Sequence, residues 1–590
     1  MPLTPHDSSQ LLTQLETARN NFETGHAARI AILLSQLSKL QLTDPHQLIR
    51  FHESLLFLRA FPHAPSQIPH VENLLNTFHR RIEKLRAANA DMSQFDDFDT
   101  SGIAGTTMQD ILSFDVAQWL ARRIPRNVEI AWNDYWDDYQ AERSRVDTWP
   151  RFIPLLEEDA DAEANIPWQR WLDAARGRQN ALPWFLKRFA QLPLSAPQQA
   201  ELYDSLRLPV RWKLENLKLS RTRNWTRPRR FFFHHAPLIR RSEVNLSREL
   251  SQPAPKLEKL STAAGESVLD AVREVMFVRY RELYGTTLGD PRTVVRANLG
   301  RGVVIHLWGL PAPRRLPLRA YVCGYTLKNG VPIHYFEAIG LCEWLEIGFN
   351  VFYTYRHGEA AWIYAQTLRC LDALTSATCL SIYPYQIGQD NDEAIDSGAF
   401  WFYRKLGFRP GRPDLQKLCE REEKRIAANP KYRTPPGTLK RLAQAPMFYE
   451  CQPSAESGPS INNQKSSINN SPQARGPWDT FSTRTLGLHI NGRMAREFES
   501  DSQQIRKASV AQVTQALRIN PALWTPAQSQ ALENWSLVLA LIPNLPCWTP
   551  NEKNQLIKII RAKSGPNEMH YLHQTQRHPR LRSELLRLGS

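Results

Sequence analysis

At 590 residues, with 42% hydrophobic and 23% charged side chains, the chain exceeds what one hydrophobic core usually holds and is too apolar for general disorder. Neither a basic segment leading into an apolar one at the N-terminus nor a run of about 18 apolar residues occurs, which argues against an export signal and a membrane-spanning helix and for a cytoplasmic location. The formal charge of +15 raises polyanions as partners, and the seven cysteines, none in a CxxC pair, read as reduced thiols.

In chain order, residues 1–95 read as a helical bundle. Apolar residues recur at helical spacing (Leu11, Leu12, Leu15; Ile30, Leu33, Leu34, Leu37; Leu55, Leu56, Leu58), with breaks at Asp44-Pro45 and Phe61-Pro62. Polar residues from Met92 to Thr107 mark a boundary. Residues 108–205 are rich in Trp and acids and read as mainly helical. Their carboxylates Asp134, Asp137, Asp138, Glu157, Glu158, Asp159, Asp161 and Glu163 match no metal-loop spacing, so a solvated helix face is expected rather than a metal site. A sequence-local zinc site is not expected either, because His570 and His573 have no cysteine pair to join.

Residues 206–260 form a basic connector. From Arg207 to Arg241 there are eleven Lys or Arg and one acid, Glu215, interleaved with Trp212, Trp225, Phe231, Phe232 and Phe233. Two readings stand: a connector whose aromatic residues dock on a neighbouring domain, or a surface for nucleic acid or another polyanion. Residues 265–450 alternate strand-like and helix-like signals, as in a mixed α/β domain. Residues 452–478, poor in apolar residues and repeating Ser-Ile-Asn-Asn, read as a flexible linker, and 479–590 as a further, separate helical domain. The fold class is multi-domain, α/β plus α.

Chemistry concentrates in the central segment. Gly265–Tyr284 predicts an amphipathic helix; Gly302–Trp308, Arg319–Tyr325, Val331–Ile339 and Ile347–Tyr355 predict four strands, with a hairpin at Asn329-Gly330. The fourth strand leads through Tyr355-Arg356-His357-Gly358-Glu359-Ala360 into a helix. Backbone N–H groups at such a glycine turn approach a phosphate closely, and the helix end adds partial positive charge. A fifth strand, Cys379–Tyr383, precedes Asp396-Ser-Gly-Ala-Phe-Trp-Phe-Tyr-Arg-Lys-Leu-Gly-Phe408, expected to be helical from Asp396 to Leu406 and capped by Gly407.

The run Ala399–Phe408, with Phe402-Tyr403-Arg404-Lys405-Leu406-Gly407-Phe408 at its core, resembles the A-x-x-x-Y-x-K-x-G-F pattern that closes the acyl-CoA site of GNAT acyltransferases, and the order of elements over 265–410 is similar to that family's. The resemblance implies a mixed sheet flanked by helices whose fourth and fifth strands splay apart, and an acyl-CoA co-substrate, such as acetyl-CoA, held by Tyr355, Arg356, His357, Gly358, Glu359 and Ala360, with Asp396 nearby. It also implies Tyr403 as the acid for the departing thiolate. Tyr355 stands where the family prefers Gln or Arg, Asp396 where Asn is common, and the loop 384–395 adds Asp390, Asp392 and Glu393. Transfer to an amine also needs a base; Glu337 and Glu346 are the candidates on the strands, beside Glu343 and His334. The expected activity is acyl-CoA-dependent N-acyl transfer to an unidentified amine. The alternative is an inactive GNAT-like protein serving as a polyanion-binding or scaffold protein.

Overall fold

A computed structural model of the chain describes residues 5–23, 25–136, 148, 151–152, 168–451 and 476–590. The acids at 137–138 and 157–163, and the linker up to 475, lie outside the described residues. The chain divides into two compact units. Unit 1 takes residues 1–237 with 269–287 and 329–332; unit 2 takes 238–268, 288–328 and 333–590.

Unit 1 opens with five helices, Pro5–Ala18, His26–Lys39, Pro45–Ala60, Gln67–Asn76 and His79–Ala87. Asp44 caps the third by accepting from the His46 N–H, with Pro45 in the first turn where its missing donor costs nothing. That helix is buried nearly all round, including His52, Glu53 and Arg59, and its polar groups find partners in the basic stretch. Glu53 accepts from Arg221 at 2.6 Å, Arg59 donates to the Thr222 carbonyl at 2.9 Å, and His52 meets the Thr222 hydroxyl at 2.9 Å. A three-stranded antiparallel sheet follows: β1 (Thr107–Ile111) and β2 (Val128–Ile130) flank β3 (Pro209–Lys213). The segment expected as a connector therefore supplies a central strand with a buried Trp212, and the segment expected to be mainly helical carries strands at its start.

Unit 2 is built on a nine-stranded sheet, β4 (Leu257–Lys259), β5 (Val295–Asn298), β6 (Val303–Trp308), β7 (Ala320–Lys328), β8 (Val331–Leu341), β9 (Trp344–Val351), β10 (Cys379–Ile382), β11 (Arg409–Pro410) and β12 (Met447–Glu450), in the order 11-12-10-9-8-7-6-5-4. The β9–β10 pair is parallel, its crossover made by the helix Ala360–Thr375. The β7–β8 turn has positive φ at both Asn329 (48°) and Gly330 (77°), the conformation an Asn-Gly hairpin requires. The fourth expected strand starts three residues earlier than its hydrophobic run, because Cys342 at φ 51° turns the chain at once into Trp344, and it ends at Val351 before a 3-10 turn, Tyr353–Tyr355.

The helix expected at 265–284 runs Thr262–Phe277, and its residues from Leu269 on group with unit 1, where Asp270 accepts from the Trp119 indole at 2.8 Å and Glu274 pairs with Arg123. The helices at 483–589 share one core with the sheet. Trp344 stacks on Trp478 at 5.7 Å, and Glu343 accepts from the Trp478 indole at 2.7 Å and from Arg582 at 2.5 Å. Among the described residues no helix is long and apolar enough to cross a membrane.

Candidate functional site

The parallel register of β9 and β10 is short. It pairs Trp344, Leu345 and Glu346 with Cys379, Leu380 and Ser381, and Ile347–Val351 then continues with β8 on one side and, among the described residues, no strand on the other. At the end of this half-paired strand the chain turns through Phe352–Glu359 into the helix Ala360–Thr375. Within the turn the Tyr355 N–H bonds the Phe352 carbonyl at 2.8 Å and the Gly358 N–H the Tyr355 carbonyl at 2.9 Å.

The turn residues face different ways. Tyr355 is buried at 2% exposure; Arg356 is half-buried, lies 5.5 Å from the Tyr353 ring and pairs with Glu393; His357 is exposed, and Gly358 and Ala360 are half-buried. Glu393 thus faces the turn, but as the counter-ion of Arg356. Glu359 is fully buried. Its carboxylate accepts from Arg301, from Lys328 at 3.3 Å and from the Ile239 N–H at 3.2 Å, while Lys328 also donates to the Arg301 carbonyl at 2.7 Å. Burial pulls Lys328 down to about 8, although Glu359 pulls it up. Glu359 is therefore a neutralised anchor beneath the turn, and its charge does not oppose an anion above it. Asp396 is exposed at the end of a separate short helix, Asp392–Asp396; Gly398 at φ 68° breaks the helix expected over 396–406 and starts a second one, Ala399–Arg404.

Tyr403 ends up in an aromatic cluster. It is 3% exposed and lies edge-on to Tyr364 at 5.6 Å and to Phe408 at 5.8 Å, and Tyr364 packs edge-on to Phe349 of β9 at 4.7 Å. Gly407 at φ 106° closes the helix: the Phe408 N–H reaches the Tyr403 carbonyl at 3.2 Å and the Gly407 N–H the Arg404 carbonyl at 3.0 Å, the paired bonds of a Schellman cap. Burial raises the Tyr403 phenol far above its ordinary value, so it keeps its proton. Two further polar groups lie in this cluster fully buried, the Tyr364 hydroxyl and both ring nitrogens of His334, and none of these atoms has a hydrogen-bond partner among the described residues. Burial drives the His334 imidazole down to about 3, so it is neutral.

The carboxylates sit on the opposite face of the sheet. Glu337 is registered with Gly348 and Ile339 with Glu346, so Glu337 and Glu346 share one face and are diagonal neighbours, about 7–8 Å apart by strand geometry. Glu337 accepts from the Tyr321 hydroxyl, Glu346 pairs with Arg319 at 3.1 Å, and the Gln386 side chain lies over Gly348. Glu343 is away from them, bound to Trp478 and Arg582, and His334 belongs to the Tyr403 face. Glu337 and Glu346 are separate base candidates in the sequence, and the strand register puts them on one face; Lys328, Arg301, Tyr321, Tyr364 and Gln386 are marked by no local pattern. Among the described residues no three His, Cys, Asp or Glu side chains converge as a metal ion would need. Comparison with known protein families, with characterised proteins and with solved structures finds no match for this chain.

Proposed function

We propose that unit 2 is an acyl-CoA-dependent N-acyltransferase of the GNAT type. The observation that carries this reading is the β9 strand, paired with β10 over three residues only and leading directly into the Gly358 turn. A strand edge without a partner offers backbone N–H and C=O groups to an extended amide-bearing arm, as strand addition does in peptide recognition. The residues suit such a co-substrate in part. The Arg356 side chain and the turn amides other than those of Tyr355, Arg356 and Gly358, which bond within the turn, are the groups for its phosphates; Tyr355, being buried, is a packing residue. In this role Tyr403 gives its proton to the departing sulfur, and Glu337 or Glu346 takes the proton of the incoming amine. Polarisation of the thioester carbonyl falls to a backbone N–H of Ile347–Val351.

The test is calorimetry with acetyl-CoA, followed by thiol release over a panel of primary amines. We expect binding that Gly358→Glu opposes, because a bulky anionic side chain would enter where backbone must approach a pyrophosphate. Tyr403→Phe should bind normally and turn over on the order of a hundredfold more slowly, since a phenol acting on the leaving sulfur matters only as charge develops there. Absence of binding at millimolar acetyl-CoA by folded protein would sink the catalytic reading and leave an inactive scaffold. Normal turnover by Tyr403→Phe would remove only the choice of acid.

A further inference from the structure

In unit 1 the centre of the basic stretch is a loop clamped at both ends on one dipeptide. Before it, the Trp225 indole donates to the Asn329 carbonyl at 3.0 Å and the Thr226 N–H to the Gly330 carbonyl at 3.2 Å; after it, the Phe232 N–H donates to the Asn329 side-chain oxygen at 2.8 Å. The Asn329 amide nitrogen in turn donates to the carbonyls of Ala60 and Phe232, both at 2.9 Å. Gly330 leaves no room for slack, because a Cβ there would stand 1.8 Å from the Thr226 oxygen. Between the clamps run Arg227, Pro228, Arg229 and Arg230. All three arginines are exposed, and among the described residues no acidic side chain pairs with them.

The neighbouring aromatic residues are used inward. Arg59 covers the Trp225 ring at 5.1 Å, Trp225 packs on Phe231 at 6.2 Å and Phe231 on Phe233 at 6.0 Å, and Phe231, Phe232 and Phe233 are half-buried. These rings are already in contact with protein, whereas the guanidinium groups are open, so the loop offers phosphate contact before the base stacking of single strands or the apolar insertion of a membrane surface. Guanidinium forks match phosphate oxygens, and a clamped loop has already lost much of the freedom that binding would otherwise remove.

We propose that the Arg227–Arg230 loop docks on the phosphate backbone of a nucleic-acid duplex. Full-length protein is titrated against short labelled RNA and DNA duplexes, with the matching single strands and anionic vesicles as further arms. Two triple variants carry the same loss of charge: Arg227→Ser/Arg229→Ser/Arg230→Ser in the loop, and Lys417→Ser/Arg421→Ser/Lys424→Ser on an exposed helix face of unit 2. Three lost phosphate contacts should flatten the slope of log affinity against log salt by about 2.7. Wild-type affinity should then fall about 40-fold more than the loop variant's between about 50 and 200 mM salt. The helix-face variant should keep the wild-type slope. Equal changes in the two variants would reduce the effect to net charge and overturn the proposal. So would tighter binding to single strands or vesicles than to either duplex, or no duplex binding at all. The duplex that binds more tightly, RNA or DNA, identifies the source of the phosphates.

Discussion

Removing the carboxylate under the turn tests whether Glu359 is an anchor rather than a ligand for substrate. Glu359→Ala deletes two oxygens that accept from Arg301, Lys328 and the Ile239 N–H, all with no exposure on the glutamate side. Arg301, one-third exposed, can turn toward water; Lys328, with no exposure, cannot, and loses its paired carboxylate. Breaking a buried pair in this way costs about 3–5 kcal/mol, mostly the penalty of the ion left behind. Lys328→Met with Glu359→Ala should therefore cost clearly less than the two single changes added together. A pH signature goes with it. Lys328 has a folded-state value near 8 against an ordinary value near 10.5, so the unfolded chain binds more protons between those limits and stability rises with pH across them. At about 1.4 kcal/mol per pH unit the rise is on the order of 3 kcal/mol, and in Glu359→Gln it should begin below pH 8, because the group that raises Lys328 is gone. The assay is denaturant unfolding followed by tryptophan fluorescence and circular dichroism at stepped pH. Strict additivity in the double variant, or an alkaline rise that survives Lys328→Met unchanged, would refute the reasoning.

Legibility followed sequence distance. Asn329-Gly330 and Gly407 were readable because each device is complete within a few residues, a left-handed turn pair and a Schellman cap; Asp44-Pro45 was readable only as a break, although the same residues carry a cap. Five of the nine strands of unit 2, β6 to β10, were readable from β-branched and aromatic runs, within a few residues at their ends; the short strands β4, β5, β11 and β12 were not expected. What the sequence withheld were choices of partner. The stripe Val268, Val272, Val275, Met276 and Leu283 suggests an apolar helix face, but nothing in it says that Asp270 and Glu274 answer Trp119 and Arg123 rather than the sheet that follows. Polar composition suggested a solvated connector at 206–260, whereas Arg221 and Thr222 fill donor and acceptor places opposite a helix more than 150 residues earlier. The candidate site divides the same way. Tyr403 and Gly358 were singled out by a local pattern, and Glu337 and Glu346 as alternatives by lying on expected strands. Lys328 was invisible as a buried partner of Glu359, since a lysine beside a hairpin turn reads as exposed.

Two further outcomes follow from the buried groups and from the open strand. His334 is neutral in the folded chain, with a value near 3 against an ordinary 6.5, so the unfolded chain binds the extra proton as pH falls and stability is lost through that window. His334→Phe should flatten the loss between pH 6.5 and 4 by on the order of 3 kcal/mol in acid unfolding curves; an unchanged acid limb would mean that the ring is protonated in the fold. Gly348 tests the carboxylate face without disturbing the core. A Cβ there would meet the Gln386 amide nitrogen at 3.4 Å and the Glu337 carbonyl at 3.9 Å, ordinary contact distances, and the backbone is not left-handed. Gly348→Ala should therefore leave thermal stability within about 0.5 kcal/mol of wild type, as substitutions that make no clash do. The methyl nevertheless lies on the face shared by Glu337 and Glu346, beside the edge where an acceptor amine would have to come within reach of a thioester. A displacement on the order of an ångström at such a position costs up to about a hundredfold in rate, because the reacting atoms must approach to about 3 Å. Gln386→Ala, which clears the same space, should not slow transfer, and its half-buried side chain has little packing to lose. If Gly348→Ala transfers acyl groups as fast as wild type in the thiol-release assay while Gly358→Glu still blocks binding of acetyl-CoA, the thioester site stands and the amine enters from the Tyr403 side of the sheet instead.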